Sequence, residues 1–157
     1  MPSAIERFEE AAASAGLSLR IERFPQGTRT AADAARAIGC EIGQIVKSLV
    51  FIADNGPFLA LTSGSNRADP FRLVELVGST SVRRATAEEA REATGYAIGG
   101  TPPFGHSRDL RVWVDRDLLS YEVVWAAAGT PDSVFPIVPD DLLRTTQGQV
   151  ADFKEAR

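Results

Sequence analysis

The chain is poor in the residues that most often carry chemistry. Its 157 residues include one cysteine, Cys40, and one histidine, His106. A lone cysteine excludes an internal disulfide and a cysteine-rich metal site. A lone histidine excludes a multi-histidine metal centre and the conventional metalloprotease motif. A Ser-His-Asp triad would have to use His106, yet no nucleophile-elbow sequence accompanies it. Cys40 follows Gly39 at a helix end and reads as structural, and His106 reads as a loop residue. No Gly-x-Gly-x-x-Gly stretch supports a dinucleotide, and no Gly-Lys-Ser/Thr ending marks a phosphate-binding P-loop. No apolar run reaches membrane-spanning length and the N-terminus has no signal-peptide pattern, so a cytoplasmic protein with no membrane partner is expected. The net charge of −4 argues against an indiscriminate nucleic-acid coat, while leaving room for a small basic patch serving one part of an RNA.

Lysine is also scarce. Lys47 and Lys154 stand against fifteen arginines, so arginine supplies the ordinary surface charge. Lys47 lies near the start of Ile45-Val46-Lys47-Ser48-Leu49-Val50-Phe51-Ile52, a β-branched and aromatic run with the composition of a buried strand. An ammonium there must snorkel to water, find a partner, or stand in a cleft awaiting an anion. Hydrophobic residues make up 44% and charged residues 24%, ordinary for one globular domain spanning residues 1–157.

The remaining chain predicts an alternation of short helices and strands. Ser3 caps a helix carrying Ile5, Phe8 and Ala12, stopped near Gly16. Leu17, Leu19 and Ile21 alternate with polar residues, as in a half-buried strand. After the turn Phe24-Pro25-Gln26-Gly27, Thr30 caps Ala31 to Ile38, with Asp33 in the first turn and Gly39 as the stop. Thr28, Arg29 and Thr30 serve either capping and solvation or the border of the Lys47 cleft. Asp54-Asn55-Gly56-Pro57 joins the Lys47 strand to Phe58–Thr62 in a hairpin whose turn is slightly longer than two residues. Asp69 and Pro70 open a helix whose buried side is Phe71, Leu73, Val74 and Val77. Val82 to Ala85 is a short strand, and Thr86-Ala87-Glu88-Glu89 is a capping box opening a helix that ends near Gly95.

Further strands are expected at Leu110–Asp115, Tyr121–Ala127 and Val134–Val138, the last with Pro136 marking an edge or bulge. Asp140 and Asp141 open a last helix, and Gln147 to Arg157 shows no clear period. Between Gly95 and His106 runs Gly99-Gly100-Thr101-Pro102-Pro103-Phe104-Gly105. Its glycines let a ligand approach the backbone and its prolines stiffen it, so it can offer ordered N–H groups to a carbonyl or anion. The alternative is a rigid connection between strands. Arg67, Arg72, Arg83, Arg84, Arg108 and Arg111 are the basic residues available to an RNA end.

These segments resemble the YbaK family, free-standing relatives of the editing domain inserted in bacterial prolyl-tRNA synthetases. The resemblance is carried by Ile45 to Phe51, by Gly95 to Gly105, and by Gly27-Thr28-Arg29-Thr30-Ala31-Ala32-Asp33-Ala34-Ala35. It spans about Ala4 to Lys154. It implies an α+β domain with a strongly curved mixed sheet flanked by helices. The implied activity is hydrolysis of the ester of a mischarged tRNA, tRNA-Pro or a related tRNA carrying a small amino acid such as Ala, Ser, Thr or Cys. No metal or organic cofactor is implied.

By the same resemblance Lys47 matches the family's essential lysine, and Gly99 to Pro103 match its substrate loop. The implied catalytic residues are Lys47, Gly99 and Gly100. The implied substrate-binding residues are Thr28, Thr30, Ser48, Thr101, Pro102, Pro103 and Ala127. Ala127-Ala128-Gly129 stands where some members have Ser-Gly-Gly, a departure that bears on which amino acid is accepted. A mischarged tRNA acceptor end is the implied partner, with an aminoacyl-tRNA synthetase as a second. A non-catalytic protein holding a nucleotide or RNA end beside a synthetase is the alternative function.

Overall fold

The Lys47 strand is the spine of the larger sheet. A computed structural model describes residues 1–26, 28 and 30–156. Gly27 of the expected turn and Arg29 of the segment expected to border the cleft lie outside the described residues, as does Arg157. In chain order the elements are α1 (Ala4–Ser14), β1 (Glu22–Arg23), α2 (Ala31–Ile38), β2 (Val46–Ala53), β3 (Gly56–Ser63), α3 (Pro70–Val77) and β4 (Val82–Arg84). They continue as α4 (Ala87–Thr94), β5 (Val112–Asp115), β6 (Val124–Ala127), β7 (Ser133–Ile137), α5 (Pro139–Thr146) and β8 (Gln149–Ala151). Two sheets form where one was expected: a mixed five-stranded sheet ordered β4-β2-β3-β5-β8, and a three-stranded sheet ordered β1-β7-β6.

Local chemistry explains the boundaries. Ser3 and Glu6 close a capping box at α1, Thr86 and Glu89 another at α4, and Thr30 and Asp69 cap α2 and α3. The β2–β3 hairpin is tighter than expected, because Ala53 pairs with Gly56 and leaves only Asp54-Asn55 in the turn. The Asp54 carboxylate then accepts from Thr80 N at 2.8 Å and Thr80 Oγ1 at 2.7 Å, lashing that turn to the approach to β4.

Both faces of β2 and β3 are covered, which is why β2 reads as a nearly continuous apolar run. Val46, Val50, Leu59, Leu61 and Val114 face one cluster, built with Phe8 of α1, Ala93 of α4, Leu142 of α5 and the inner face of the small sheet. Leu49, Phe51, Phe58, Ala60 and Trp113 face a second cluster with Leu73 of α3 and Phe153. By the two-residue period Lys47 belongs to the second face and Ser48 to the first.

Several expectations need correction. Leu17, Leu19 and Ile21 pack on the first cluster with the expected alternation, but they form no ladder, and β1 comprises only Glu22 and Arg23. β7 is the middle strand of its sheet, though β1 pairs only with Ser133 and Val134, so Pro136 lies beyond that pairing. The C-terminal stretch contains β8, which runs parallel to β5. Phe71 does not face the core: it is 83% exposed while Leu73 is fully buried. Pro70 starts α3 at a phase that turns Phe71 outward. Leu73→Ala is therefore expected to lose roughly 2–5 kcal/mol in urea unfolding, whereas Phe71→Ser stays within about 0.5 kcal/mol of the parent.

Candidate functional site

β2 is hydrogen-bonded to β3 along its whole length but to β4 only from Phe51 to Ala53. Ala85 N also donates to Val50 O at 3.0 Å, so the edge is open from Val46 to Leu49. A cavity of about 510 Å³ lies along it, closed by β6, by α2 and by the glycine-proline loop. Its size falls within the roughly 300–1,000 Å³ of small-ligand sites.

Lys47, Gly99, Thr28, Thr30, Ser48, Thr101 and Ala127 of the expected set all line this cavity. Gly100, Pro102 and Pro103 do not; they are buried behind the loop surface. Gly100 N donates to Ala97 O at 3.0 Å, so its N–H is spent on closing a turn rather than facing a ligand. Gly99 and Thr101, which do face the cavity, have no intramolecular partner for their N–H groups among the described residues. Ala128 is fully buried in the core, leaving Ala127 as the wall residue of that pair.

The loop is braced from behind. His106 Nε2–H donates to Pro102 O at 2.7 Å, and burial lowers the imidazole's pKa below its usual value, so the ring is a neutral strut outside the cavity wall. Thr101 Oγ1 donates to Ala97 O at 3.1 Å. Thr28 presents both its N–H and its hydroxyl to Pro131 O. Thr30 Oγ1 accepts from Asp33 N at 3.0 Å, which leaves its own O–H available to the cavity. Ser48 Oγ is buried without a hydrogen-bond partner among the described residues.

Lys47 is the centre of positive potential. Its Nζ donates to Asn66 O at 2.5 Å, and no carboxylate pairs with it among the described residues. Burial lowers its pKa, and the nearby Arg67 and Arg84 guanidinium groups push it the same way, against an opposing pull from Asp115. The other basic residues are differently employed. Arg72 pairs with Asp152 at 3.1 Å, Arg83 with Glu89 at 2.8 Å, and Arg111 lies over the Trp113 ring. Arg67 and Arg84 have no ion pair among the described residues. Arg67 and Arg84 thus add positive potential at Lys47 with only Asp115 opposing them and no carboxylate paired to it among the described residues, an arrangement suited to a phosphate.

The rest of the wall is apolar: Ala31, Ile45, Ile98, Trp125 and Val134. Among the described lining residues there is no carboxylate, imidazole or thiol. Sequence reasoning missed Trp125, whose aromatic character gave no sign of whether it faced core or cleft. It also missed Asn66, which stands in the Ser63-Gly64-Ser65-Asn66 stretch read only as loop.

The loop's packing makes its two glycines unequal. A Cβ on Gly100 would stand 2.7 Å from Thr130 Cα and 2.9 Å from Gly129 O, whereas one on Gly99 meets nothing nearer than Pro131 Cγ at 3.8 Å. Gly99 has φ of 89°, so an L-residue there bears only the left-handed backbone cost of about 1 kcal/mol. Gly100→Ala must move the loop against rigid backbone, at roughly 1–3 kcal/mol. Chemical unfolding of both variants should rank Gly100→Ala as the more damaging.

Comparison with known proteins agrees with this arrangement. A family model described as an aminoacyl-tRNA editing domain matches residues 25–145. A crystal structure of a candidate trans-editing enzyme for prolyl-tRNA synthetase superposes with a TM-score of 0.94 and is 48% identical, covering 99% of each chain. A candidate Cys-tRNA(Pro)/Cys-tRNA(Cys) deacylase of Enterococcus faecalis is 27% identical over 124 residues, 78% of this chain and 76% of that one. The proline–tRNA ligase of Maridesulfovibrio salexigens is 32% identical over 101 residues, which cover 64% of this chain but only 17% of the ligase. The chain belongs to the aminoacyl-tRNA editing domain family.

Proposed function

We propose that this protein is a trans-acting deacylase that hydrolyses the ester between a wrongly attached amino acid and the 3′ end of a tRNA. The observation that carries this reading is the Lys47 ammonium, paired with no carboxylate among the described residues, which shares the wall of a largely apolar cavity with Arg84 and with the Gly99 and Thr101 backbone. Such a cavity suits a substrate that is anionic at one end and small and apolar at the other. The acceptor end of an aminoacylated tRNA has that form. Family membership and the names of the relatives support the same choice.

In the proposed reaction Lys47 holds the terminal nucleotide through its phosphate or ribose, and the aminoacyl group enters between Ala127, Trp125 and the loop. Water attacks the ester carbonyl, and the Gly99 and Thr101 N–H groups receive the developing oxyanion. One such donor is worth roughly 3 kcal/mol of barrier in other enzymes. The bond from the carbonyl carbon to the ribose oxygen then breaks, and the water's proton leaves with that oxygen. No protein base lines the cavity among the described residues, so the substrate's adjacent ribose hydroxyl is the proposed activator of the water. Positioning carries the remainder, because the ester is intrinsically labile.

The proposed substrates are tRNA-Pro or a related tRNA bearing Ala, Ser, Thr or Cys, with a prolyl-tRNA synthetase as the partner that delivers it. The lack of a lining base also favours a second reading, a protein that only holds the RNA end. Amino-acid release from a panel of mischarged tRNAs separates the two. Release of the small amino acids, with overlap among them because one methylene is worth only about 1–3 kcal/mol, supports the deacylase. No release from any tRNA supports the binder, and release of large aromatic amino acids alone removes the small-substrate assignment.

Lys47 gives the sharper check. Lys47→Ala should abolish release while keeping the fold, and Lys47→Arg should fail too, since a planar guanidinium is longer and forks its donors. Between the lowered native value and the ordinary 10.5, the unfolded chain binds the proton that the native one has lost. The stability contribution of this group therefore rises with pH through that window, and its charge is a burden at neutral pH. Thermal melts at pH 7 should show Lys47→Ala at or above the parent. Affinity for a non-hydrolysable aminoacyl-adenosine phosphate should decline as pH rises through the lowered value.

A further inference from the structure

Asn66 is 5% exposed and stands in the loop that follows β3. Its Nδ2 carries two hydrogens, and each has its own carboxylate: Asp115 Oδ2 at 2.9 Å and Asp117 Oδ2 at 2.9 Å. Asp115 is itself 1% exposed, and its carboxylate also accepts from Ser63 N at 3.0 Å and Asp117 N at 3.0 Å. Asp117 is pinned from outside by Lys154 Nζ at 2.8 Å. A single hydrogen-bonded chain therefore runs from Lys154 through Asp117 and Asn66 to Lys47, joining both lysines of the protein.

We propose that Asn66 is the positioning residue for Lys47: its amide, clamped between the Asp115 and Asp117 carboxylates, fixes the main-chain carbonyl that aims the ammonium into the cavity. The proposal rests on the editing reading for its functional meaning, though not for its geometry. A lysine side chain has four rotatable bonds, and a fixed acceptor selects one arrangement of them before substrate arrives. One ammonium hydrogen goes to Asn66 O, leaving two for the ligand. The acceptor is neutral, so it orients the cation without cancelling its charge. A carboxylate in direct contact would hold the ammonium as firmly and remove the field that attracts a phosphate. The buried Asp115 charge helps keep Lys47 protonated from a distance, against Arg67 and Arg84.

The alternative is that these bonds only hold a loop corner. Lysine labelled with 13C at Cε separates the two, because this chain gives only two such side-chain signals. In Asn66→Ala, kept folded by thermal melt, the Lys47 signal should move and its titration midpoint fall further, as a half-buried ammonium loses its ordered acceptor. Release of amino acid, per folded molecule, should drop roughly tenfold or more, the scale of loss from misplacing a reacting group by about an ångström. An unmoved Lys47 signal, or an activity loss that only follows the folded fraction, overturns the proposal. If Asn66→Ala fails to fold, Asp117→Asn at the exposed end of the chain decides. It should shift Lys154 strongly and Lys47 detectably, and a change confined to Lys154 overturns the proposal. Should the parent release nothing from any mischarged tRNA, the editing reading fails, while the lysine signals still report on the Asn66 clamp.

Discussion

The structure depends on an unfinished edge. β2 is central, covered on both faces and fully paired with β3, yet β4 reaches only its last three residues. Backbone groups of a buried strand must be satisfied, so a strand left open along Val46–Leu49 has to face water or a ligand. The second sheet does not continue the ladder: it meets the start of β2 through the isolated bridge between Ile45 and Trp125 and otherwise packs on it through side chains. The cavity is the space this arrangement leaves. Its other walls are α2 and the glycine-proline loop.

That edge also explains why a lysine is tolerated there. On the face of β2 covered by α3, a charge deeper in the strand would meet Phe51, Phe58 and Leu73. At Lys47 the side chain instead reaches the Asn66 carbonyl and the cavity mouth. The cost of partial burial is visible in its lowered pKa. Nearby arginines increase that cost rather than relieve it, which is unfavourable for stability and favourable for binding an anion. Local strain between stability and binding is the usual mark of a functional site.

Much of this was legible in the chain because the signals were local. Ser3, Thr30, Asp69 and Thr86 are caps whose side chains act within three residues, and β2 announces itself by composition. The order and spacing of the lysine strand and the glycine-proline loop identified the family. What failed was non-local. β8 is three residues long and exists only because β5 offers it an edge. Phe71 looked buried because its type suggested so, whereas Pro70 sets the phase of α3. The loss of Gly100's N–H to Ala97 O is a matter of turn geometry, invisible in a string of glycines. Asn66, Asp115, Asp117 and Lys154 are brought together only by the sheet.

The aromatic contacts of α1 bear on modularity. Phe8 packs at 5.1 Å from the ring of Phe104 in the glycine-proline loop and at 4.8 Å from Phe135 in the small sheet. Arg7 reaches Gly95 O at 3.0 Å and covers the Tyr96 ring at the loop's entrance. The family model's match begins at residue 25, so this helix falls outside it while backing the loop that the match contains, although the 48% identical structure covers 99% of the chain. On the other side Phe153, fully buried against Leu73 and Trp113, lies beyond residue 145 and does the same for the outer face. The limits of the family match and the limits of the folding unit thus differ in this protein. A graft cut at the family limits would carry the lysine and the loop into a new host without the two phenylalanines that hold their faces shut.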